Sequence, residues 1–324
     1  MPIIIHPISP VAIDLFGLQI RWYAIAYIAA FIIGYWLIKK LAQSNTPIQD
    51  FLTRKTSAQE NLVCHSRAGG NRPTGGQEKK FWDDLLAAVI LGVIIGGRMG
   101  YVLFYNLPFF IAHPLEIFMV WHGGMSFHGG LLGVIVAVFL FAKRTKIQKQ
   151  SLELRVKSSD KKQNAPTIRH RVQNAFSILD PMAVVAPIGL FFGRIANFIN
   201  MEVMGRATDG PLGVVFVDTD GTPIGDAVAR YPSPLLEAGL EGVLLFLIMF
   251  ALWRWTRMGK RAGALSGAFA MFYAVFRIIA ELFRQPDVQL GFLTGWGLTM
   301  GQLLSGIMFI AGAVVLAMAY RKRG

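Results

Sequence analysis

Apolar runs of about twenty residues recur along the chain, parted by shorter stretches rich in charge, glycine or proline. A helix that crosses a hydrocarbon core of ~30 Å needs about 20 mostly apolar residues. By that measure the pattern predicts spans at 18–38, 84–106, 125–142, 178–200, 234–253, 263–283 and 297–320. The third begins in Trp121-His-Gly-Gly-Met-Ser-Phe-His-Gly-Gly130, which is glycine-rich and polar, so its outer end is expected to be a loop that dips into the membrane. Between the fourth and fifth spans the character changes. Asp209-Gly-Pro, Val214-Val-Phe-Val217 and Thr219-Asp-Gly-Thr-Pro alternate short apolar runs with turn dipeptides, which predicts a small β-containing cap over 201–232. The fold class is therefore an all-α polytopic membrane protein, a single transmembrane domain over 1–324 with seven transmembrane helices and a small extracytoplasmic cap.

Composition agrees with this: 54% of the 324 residues are hydrophobic and 16% charged, against roughly a quarter charged in soluble domains. The formal charge of +13 invites a nucleic-acid reading until the basic residues are placed. Lys39 and Lys40, six Lys or Arg in 41–83, ten in 143–177, four in 254–261 and three in 321–323 share one side of the predicted topology. Only Arg206, Arg230 and Arg284 fall on the other. Cytoplasmic loops keep the excess of Lys and Arg, so the N-terminus is expected in the periplasm and the C-terminus in the cytoplasm, with no nucleic-acid partner. The opening MPIIIHPISP has no Lys or Arg ahead of its apolar region, so the first span is expected to stay in place rather than act as a removable signal.

Two cytoplasmic segments read as disordered inserts. Residues 44–80 contain Cys64-His-Ser-Arg-Ala-Gly-Gly-Asn-Arg-Pro, which is similar to peptides encoded by repeated DNA elements inserted in some bacterial genes. Residues 145–175 are basic and poor in aromatics, as suits a solvated loop near anionic lipid. Cys64 is the lone cysteine, which excludes an internal disulfide, and with His65 it lacks the further ligands a zinc site needs. No metal or cofactor is expected.

The charges within the spans carry the chemistry, because a charged side chain in hydrocarbon costs at least ~2.5 kcal/mol. Arg21, Arg98, Arg194 and Arg277 all fall near the outer ends of their spans, the last three about 9–12 Å deep at 1.5 Å per residue. Snorkelling to the interface is one account of Arg21 and Arg98, a binding role the other. Arg194 and Arg277 have polar company. Arg194 and Asn197 are three apart and share a helical face, in a stretch Gly193–Gly205 that also holds Asn200 and Glu202. Arg277, Glu281 and Arg284 form a second face, with Tyr273 one turn earlier. A guanidinium grips phosphate through a planar fork, and a phosphate at the outer leaflet is most simply a phospholipid head group. Glu281 either neutralises an arginine or takes part in acid–base work, the first being the usual role of such a carboxylate. His128 offers an imidazole that takes a proton near neutral pH, or merely a hydrogen-bonded ring. Glycine pairs four apart, Gly96/Gly100, Gly129/Gly133, Gly263/Gly267 and Gly297/Gly301, predict close helix packing.

Together these residues resemble one family, the prolipoprotein diacylglyceryl transferases of bacterial inner membranes, throughout the chain outside the two inserts. The match runs through Arg21-Trp-Tyr-Ala24, Gly96-Gly-Arg-Met-Gly-Tyr-Val-Leu-Phe-Tyr-Asn106, Gly123-Gly-Met-Ser-Phe-His-Gly-Gly130, Gly193-Arg-Ile-Ala-Asn-Phe-Ile-Asn200 with Glu202 and Gly205, and Phe276-Arg-Ile-Ile-Ala-Glu-Leu-Phe-Arg-Gln-Pro-Asp287. The resemblance implies a transferase that moves the diacylglyceryl group of phosphatidylglycerol to the thiol of the lipobox cysteine of a prolipoprotein, releasing glycerol phosphate in lipoprotein biosynthesis. Its partners would be phosphatidylglycerol, prolipoprotein signal peptides and the bilayer, with the active site toward the periplasmic leaflet. By carry-over, His128 is the candidate base, with an arginine-assisted route as the alternative, and Arg194 and Arg277 stabilise the leaving phosphate. Tyr23, Arg98, Asn197, Glu202, Gly205, Tyr273, Glu281 and Arg284 are the expected substrate-binding positions. Members of the family usually carry His-Pro-Ser-Gln-Leu-Tyr-Glu at the start of the fifth span, whereas this chain has Tyr231-Pro-Ser-Pro-Leu-Leu-Glu237, without that glutamine and tyrosine. The rival class is a transporter or a non-catalytic phospholipid-binding protein. It fits less well, because transporters commonly carry internal repeats and a midplane site, and the chain has neither. A structural scaffold would leave the intramembrane charges without a purpose.

Overall fold

The period-two alternation of Leu18-Gln-Ile-Arg21 decides how the chain enters its first helix. These four residues form a strand, β3 (Leu18–Arg21), paired antiparallel with β2 (Val11–Leu15), Asp14 opposite Gln19 and Leu15 opposite Leu18. Helix α1 (Trp22–Ala42) therefore starts four residues later than the hydrophobic run suggests, and the Trp22 indole N–H bonds to Ser9 O at 3.0 Å. The computed structural model describes residues 3–5, 8–15, 18–42, 75–120, 123–156, 168–218, 220–224, 227–285, 291, 293–294 and 297–321, with backbone alone at 42, 75–79, 144–156 and 168–171. Two units divide the chain, Met1–Leu41 with Asp180–Gly324, and Ala42–Leu179.

The second unit is built on α2 (Gly75–Phe104) and α4 (Phe127–Val156), joined through the short α3 (Leu107–Ala112) and a 3-10 turn at Pro114–Phe118. Glycines set the approach of the two long helices: a Cβ at Gly96 would lie 2.4 Å from Gly129 O, and one at Gly133 only 2.0 Å from Gly92 O. The spacing of Gly96/Gly100 and Gly129/Gly133 thus does what it predicts.

In the first unit α1 and the later part of α5 (Ile168–Ile199) join α6 (Ser233–Trp255), α7 (Ala264–Glu281) and α8 (Met300–Tyr320). Leu41, Val184, Leu245, Met249, Leu265, Phe269 and Tyr273 form its buried core. Gly267 meets Gly312 and Leu316 where α7 crosses α8, whereas Gly301 lies against the Glu281 carboxylate. Gly263 works differently. Its φ of 94° fits the turn before α7, and its N–H bonds to Asp180 Oδ2 at 2.8 Å, beside Ser266 N and Oγ on Oδ1 at 2.9 and 2.6 Å. Asp180 on α5 thereby caps the first turn of α7.

Among the described residues six helices are long and apolar enough to cross a membrane: Trp22–Leu41, Lys80–Phe104, Val172–Ile199, Ser233–Trp255, Ala264–Glu281 and Met300–Tyr320. The apolar part of α4, Phe127–Lys143, is shorter. Large apolar side chains such as Ile32, Trp36, Ile95, Leu140, Leu247 and Ile310 face outward on these helices, as lipid contact demands. The segments 145–156 and 168–175 continue α4 and α5 where the composition suggests an irregular insert, since basic residues at helix ends are compatible with further turns. Residues 157–167, and 44–74 of the other insert, lie outside the described residues. Over 201–232 one strand occurs among the described residues, β4 (Val214–Phe216), and it pairs parallel with β1 (Ile3–Ile5) near the N-terminus.

Candidate active site

Five helices of the first unit bring polar ends together: the first turn of α1, the last turns of α5 and α7, and the starts of α6 and α8. The centre is an ion-pair lattice. Glu237 closes the first turn of α6, and Glu241 follows it in a π-helical stretch, Ala238–Leu244. Such stretches widen a helix and recur at functional sites. Both carboxylate side chains are fully buried. Glu237 Oε2 lies 2.8 Å from Arg194 Nε and 2.9 Å from Arg277 Nη1, and its Oε1 is 3.7 Å from Arg284 Nη1. Glu241 is 3.4 Å from Arg194 Nη2 and 3.5 Å from Arg277 Nη1. Glu281 pairs with Arg277 Nη2, lies 3.9 Å from Arg284 Nε and accepts from Thr299 Oγ1 at 2.9 Å. Thr299 also closes the capping box of α8 with Gln302, so one side chain starts a helix and holds the site's third carboxylate.

The lattice sets three guanidiniums against three carboxylates. A buried charge without a partner costs several kcal/mol, so each arginine's position depends on the glutamates. Arg277 is enclosed by all three. Arg194 is the most open, 16% exposed, and its Nη1 makes no hydrogen bond among the described residues.

A smaller network adjoins Arg194 on α5. The Tyr23 hydroxyl donates to Glu202 Oε2 at 2.7 Å and accepts from Asn197 Nδ2, while Glu202 N bonds to Asn197 O at 2.9 Å. Gly205 then bridges to Arg284, and a Cβ there would stand 2.5 Å from Phe283 O and 2.6 Å from Tyr231 O. Arg206 steadies the end of α7, donating from Nε to Arg284 O at 2.9 Å and from Nη2 to Glu281 O at 3.4 Å. Tyr273, one turn before Arg277, is buried and stacks on Phe269.

Arg98 and His128 belong to the second unit. Arg98, only 4% exposed, donates to the backbone carbonyls of Glu116, Ile117, Met119, Gly123 and Gly124 and lies over the Phe110 ring. Its guanidinium ties down the loop that leads into α4. His128 sits in the first turn of that helix, half-buried, its ring 5.5 Å from that of Phe127.

The structure thus gathers Arg194, Arg277, Glu281 and Arg284 in one lattice, and Tyr23, Asn197 and Glu202 in the network beside it. Sequence reasoning missed Glu241, Thr299 and Arg206 as site residues and met Glu237 only as the end of a motif. The signal was available for two of them: Glu237 and Glu241 are carboxylates four apart inside an apolar span. Arg194 and Arg277 stand five and four residues from their helix ends, about 6–8 Å at 1.5 Å per residue, shallower than expected because the helices stop sooner. In the departing motif, Ser233 Oγ bonds to Val203 O at 2.7 Å and Glu237 keeps its place in the lattice.

The family profile described as prolipoprotein diacylglyceryl transferase matches residues 10–154 and 165–318. The phosphatidylglycerol--prolipoprotein diacylglyceryl transferase of Paramagnetospirillum magneticum is 42% identical over 316 residues, 97% of this chain and 95% of the relative. That of Rhodospirillum rubrum is 41% identical over 317 residues, 98% and 94% of the two chains, and that of Solidesulfovibrio magneticus 40% over 315 residues, 97% and 96%.

Proposed function

The chain belongs to the prolipoprotein diacylglyceryl transferase family, and we propose how its residues divide the reaction. It is a multi-pass protein of the bacterial inner membrane that transfers the diacylglyceryl group of phosphatidylglycerol to the lipobox cysteine of a prolipoprotein. A sulfur–carbon bond forms while the bond from the same glyceryl carbon to a phosphate oxygen breaks. The thiol proton goes to a base, and glycerol phosphate leaves with the bonding electrons.

Arg194 contacts the phosphate, and the observation that carries this role is the Nη1 left over from its two carboxylate contacts. Arg277, enclosed by Glu237, Glu241 and Glu281, adds charge close by and holds the lattice in shape. Preorganised donors of this kind stabilise developing charge without reorganising during the reaction. His128 takes the thiol proton, an imidazole being suited to a thiol whose ordinary pKa is near 8.5. Tyr23, Asn197, Glu202 and Gly205 shape the head-group pocket, and Tyr273, Glu281 and Arg284 support it. Arg98 contributes by fixing the loop before His128.

The topology has seven transmembrane helices, with Phe127–Lys143 as the third, and a cap over 201–232. The site faces the periplasmic leaflet, with the N-terminus outside and the C-terminus in the cytoplasm. This reading is supported by the helix ends opposite the lattice, which carry Lys39, Lys40, Arg254, Arg257, Lys260, Arg261 and Arg321. Purified protein supplied with phosphatidylglycerol and a lipobox peptide is expected to yield thioether-linked peptide and glycerol phosphate in equal amounts. Lipid binding or movement without either product would favour the transporter class and end the assignment of catalytic roles.

A further inference from the structure

The turn that ends α5 holds a group without a role in the reaction above. The Asn200 N–H bonds to Ala196 O at 3.0 Å, while its side-chain Oδ1 is buried with no hydrogen-bond partner among the described residues. Native structures keep few such groups, because a buried amide oxygen without a donor forfeits the hydration it has in the unfolded chain. The next residues add strain. Met201 has φ 55° and Val203 φ 59°, left-handed backbone that a side chain disfavours, most of all a β-branched one. An orphaned acceptor and two strained residues within four positions flank Glu202, which bonds to Tyr23. Strain concentrated in this way marks segments held for binding.

A donor that arrives with a ligand would satisfy this oxygen. Resting on the transferase reading, we propose that Asn200 hydrogen-bonds a hydroxyl of the terminal glycerol in the phosphatidylglycerol head group, and so selects a lipid that carries that polyol. A hydroxyl both donates and accepts, so it satisfies whichever end of the amide meets it. Asn200 lies one helical step beyond Asn197 and six residues beyond Arg194, in the stretch that holds the rest of the head-group site.

The test uses full-length protein carrying Asn200→Leu or Asn200→Ala, assayed for unfolding temperature and for turnover with lipid and peptide varied separately. The unfolding temperature is expected to hold or rise, because the orphaned acceptor is gone. The KM for phosphatidylglycerol is expected to rise roughly 3- to 10-fold, the worth of one neutral hydrogen bond, with the peptide KM unmoved. Asn200→Asp, which keeps an acceptor, should stay closer to the unmodified protein. Unchanged kinetics in Leu and Ala would overturn the proposal, and a rise confined to the peptide KM would assign Asn200 to the peptide instead. A lower unfolding temperature with all rates reduced together, or failure of both variants to fold, would make Asn200 structural. Turnover by the unmodified chain in the same assay tests the transferase reading on its own.

Discussion

Replacing Glu237 by Gln keeps its shape and removes one charge from the centre of the lattice. The carboxylate is fully buried, 2.8 Å from Arg194, 2.9 Å from Arg277 and 3.7 Å from Arg284. Without it, three guanidiniums face two carboxylates. Removing one partner of a buried ion pair costs about 3–5 kcal/mol, and the amide oxygen still accepts one hydrogen bond, returning about 1 kcal/mol. The expected loss is therefore roughly 2–4 kcal/mol, well above the ~0–1 kcal/mol of an exposed pair. Unfolding of the purified protein by sodium dodecyl sulfate in mixed micelles would measure it, with turnover followed in parallel. Arg277→Met added to Glu237→Gln restores charge balance, so the double variant should regain about 1–3 kcal/mol relative to the sum of the singles, without regaining activity. A single-variant loss below about 1 kcal/mol, or additivity within about 0.5 kcal/mol, would refute the view of the lattice as one mutually neutralising unit.

Arg194→Ala should lower kcat by about 10²- to 10³-fold, as expected when one donor to a developing oxyanion is lost, with Arg194→Lys intermediate because an ammonium lacks the fork; initial rates of glycerol phosphate release measure both. Gly205→Ala places a methyl 2.5–2.6 Å from two backbone carbonyl oxygens that cannot move aside cheaply, so a loss of about 1–3 kcal/mol in the unfolding titration is expected, with activity reduced. Asp180→Ala removes the acceptor for Gly263 N, Ser266 N and Ser266 Oγ and should cost about 1–2 kcal/mol in the same titration, the price of a lost helix cap, with Asp180→Asn milder.

How far the sequence could be read depended on whether a residue's partners were side chains close in the chain. The spans at 234–253, 263–283 and 297–320 lie close to α6, α7 and α8 because continuous apolar length is itself the physical requirement for crossing. Helix α1 starts later than the apolar run predicts because Leu18 and Ile20 extend that run while Gln19 and Arg21 alternate with them as in a strand, which pairs with Val11–Leu15. Arg194 with Asn197, and Arg277 with Glu281, were legible as helical neighbours. Arg98 could be seen, but not its role, because its partners are backbone carbonyls at 116–124 that any sequence supplies. Glu237 and Glu241 pair with Arg194 across 43 and 47 positions, a distance no periodicity spans. Stricter accounting would have found them, since each buried arginine demands an anion and the fifth span held two carboxylates with no stated purpose.

The neutrality of the lattice bears on how the reaction is accelerated. Before reaction the negative charges are a thiolate on the peptide and one on the lipid phosphodiester. After it the thioether is neutral and glycerol phosphate carries two, so charge moves from sulfur to phosphate as the carbon–oxygen bond breaks. A strongly cationic pocket would grip the phosphodiester before that shift, which lowers KM without raising kcat. A pocket whose arginines are already balanced by Glu237, Glu241 and Glu281 holds the ground state lightly. In the proposed mechanism Arg194 Nη1, which makes no hydrogen bond among the described residues, would gain most as the second charge arrives on oxygen, and that difference would lower the barrier. On this reasoning the glutamates serve catalysis as well as folding: a variant that removes one without unfolding the protein should bind phosphatidylglycerol more tightly and turn it over more slowly. Lipid titrations paired with single-turnover rates on Glu241→Gln would reveal this, and weaker lipid binding with an unchanged rate would count against it.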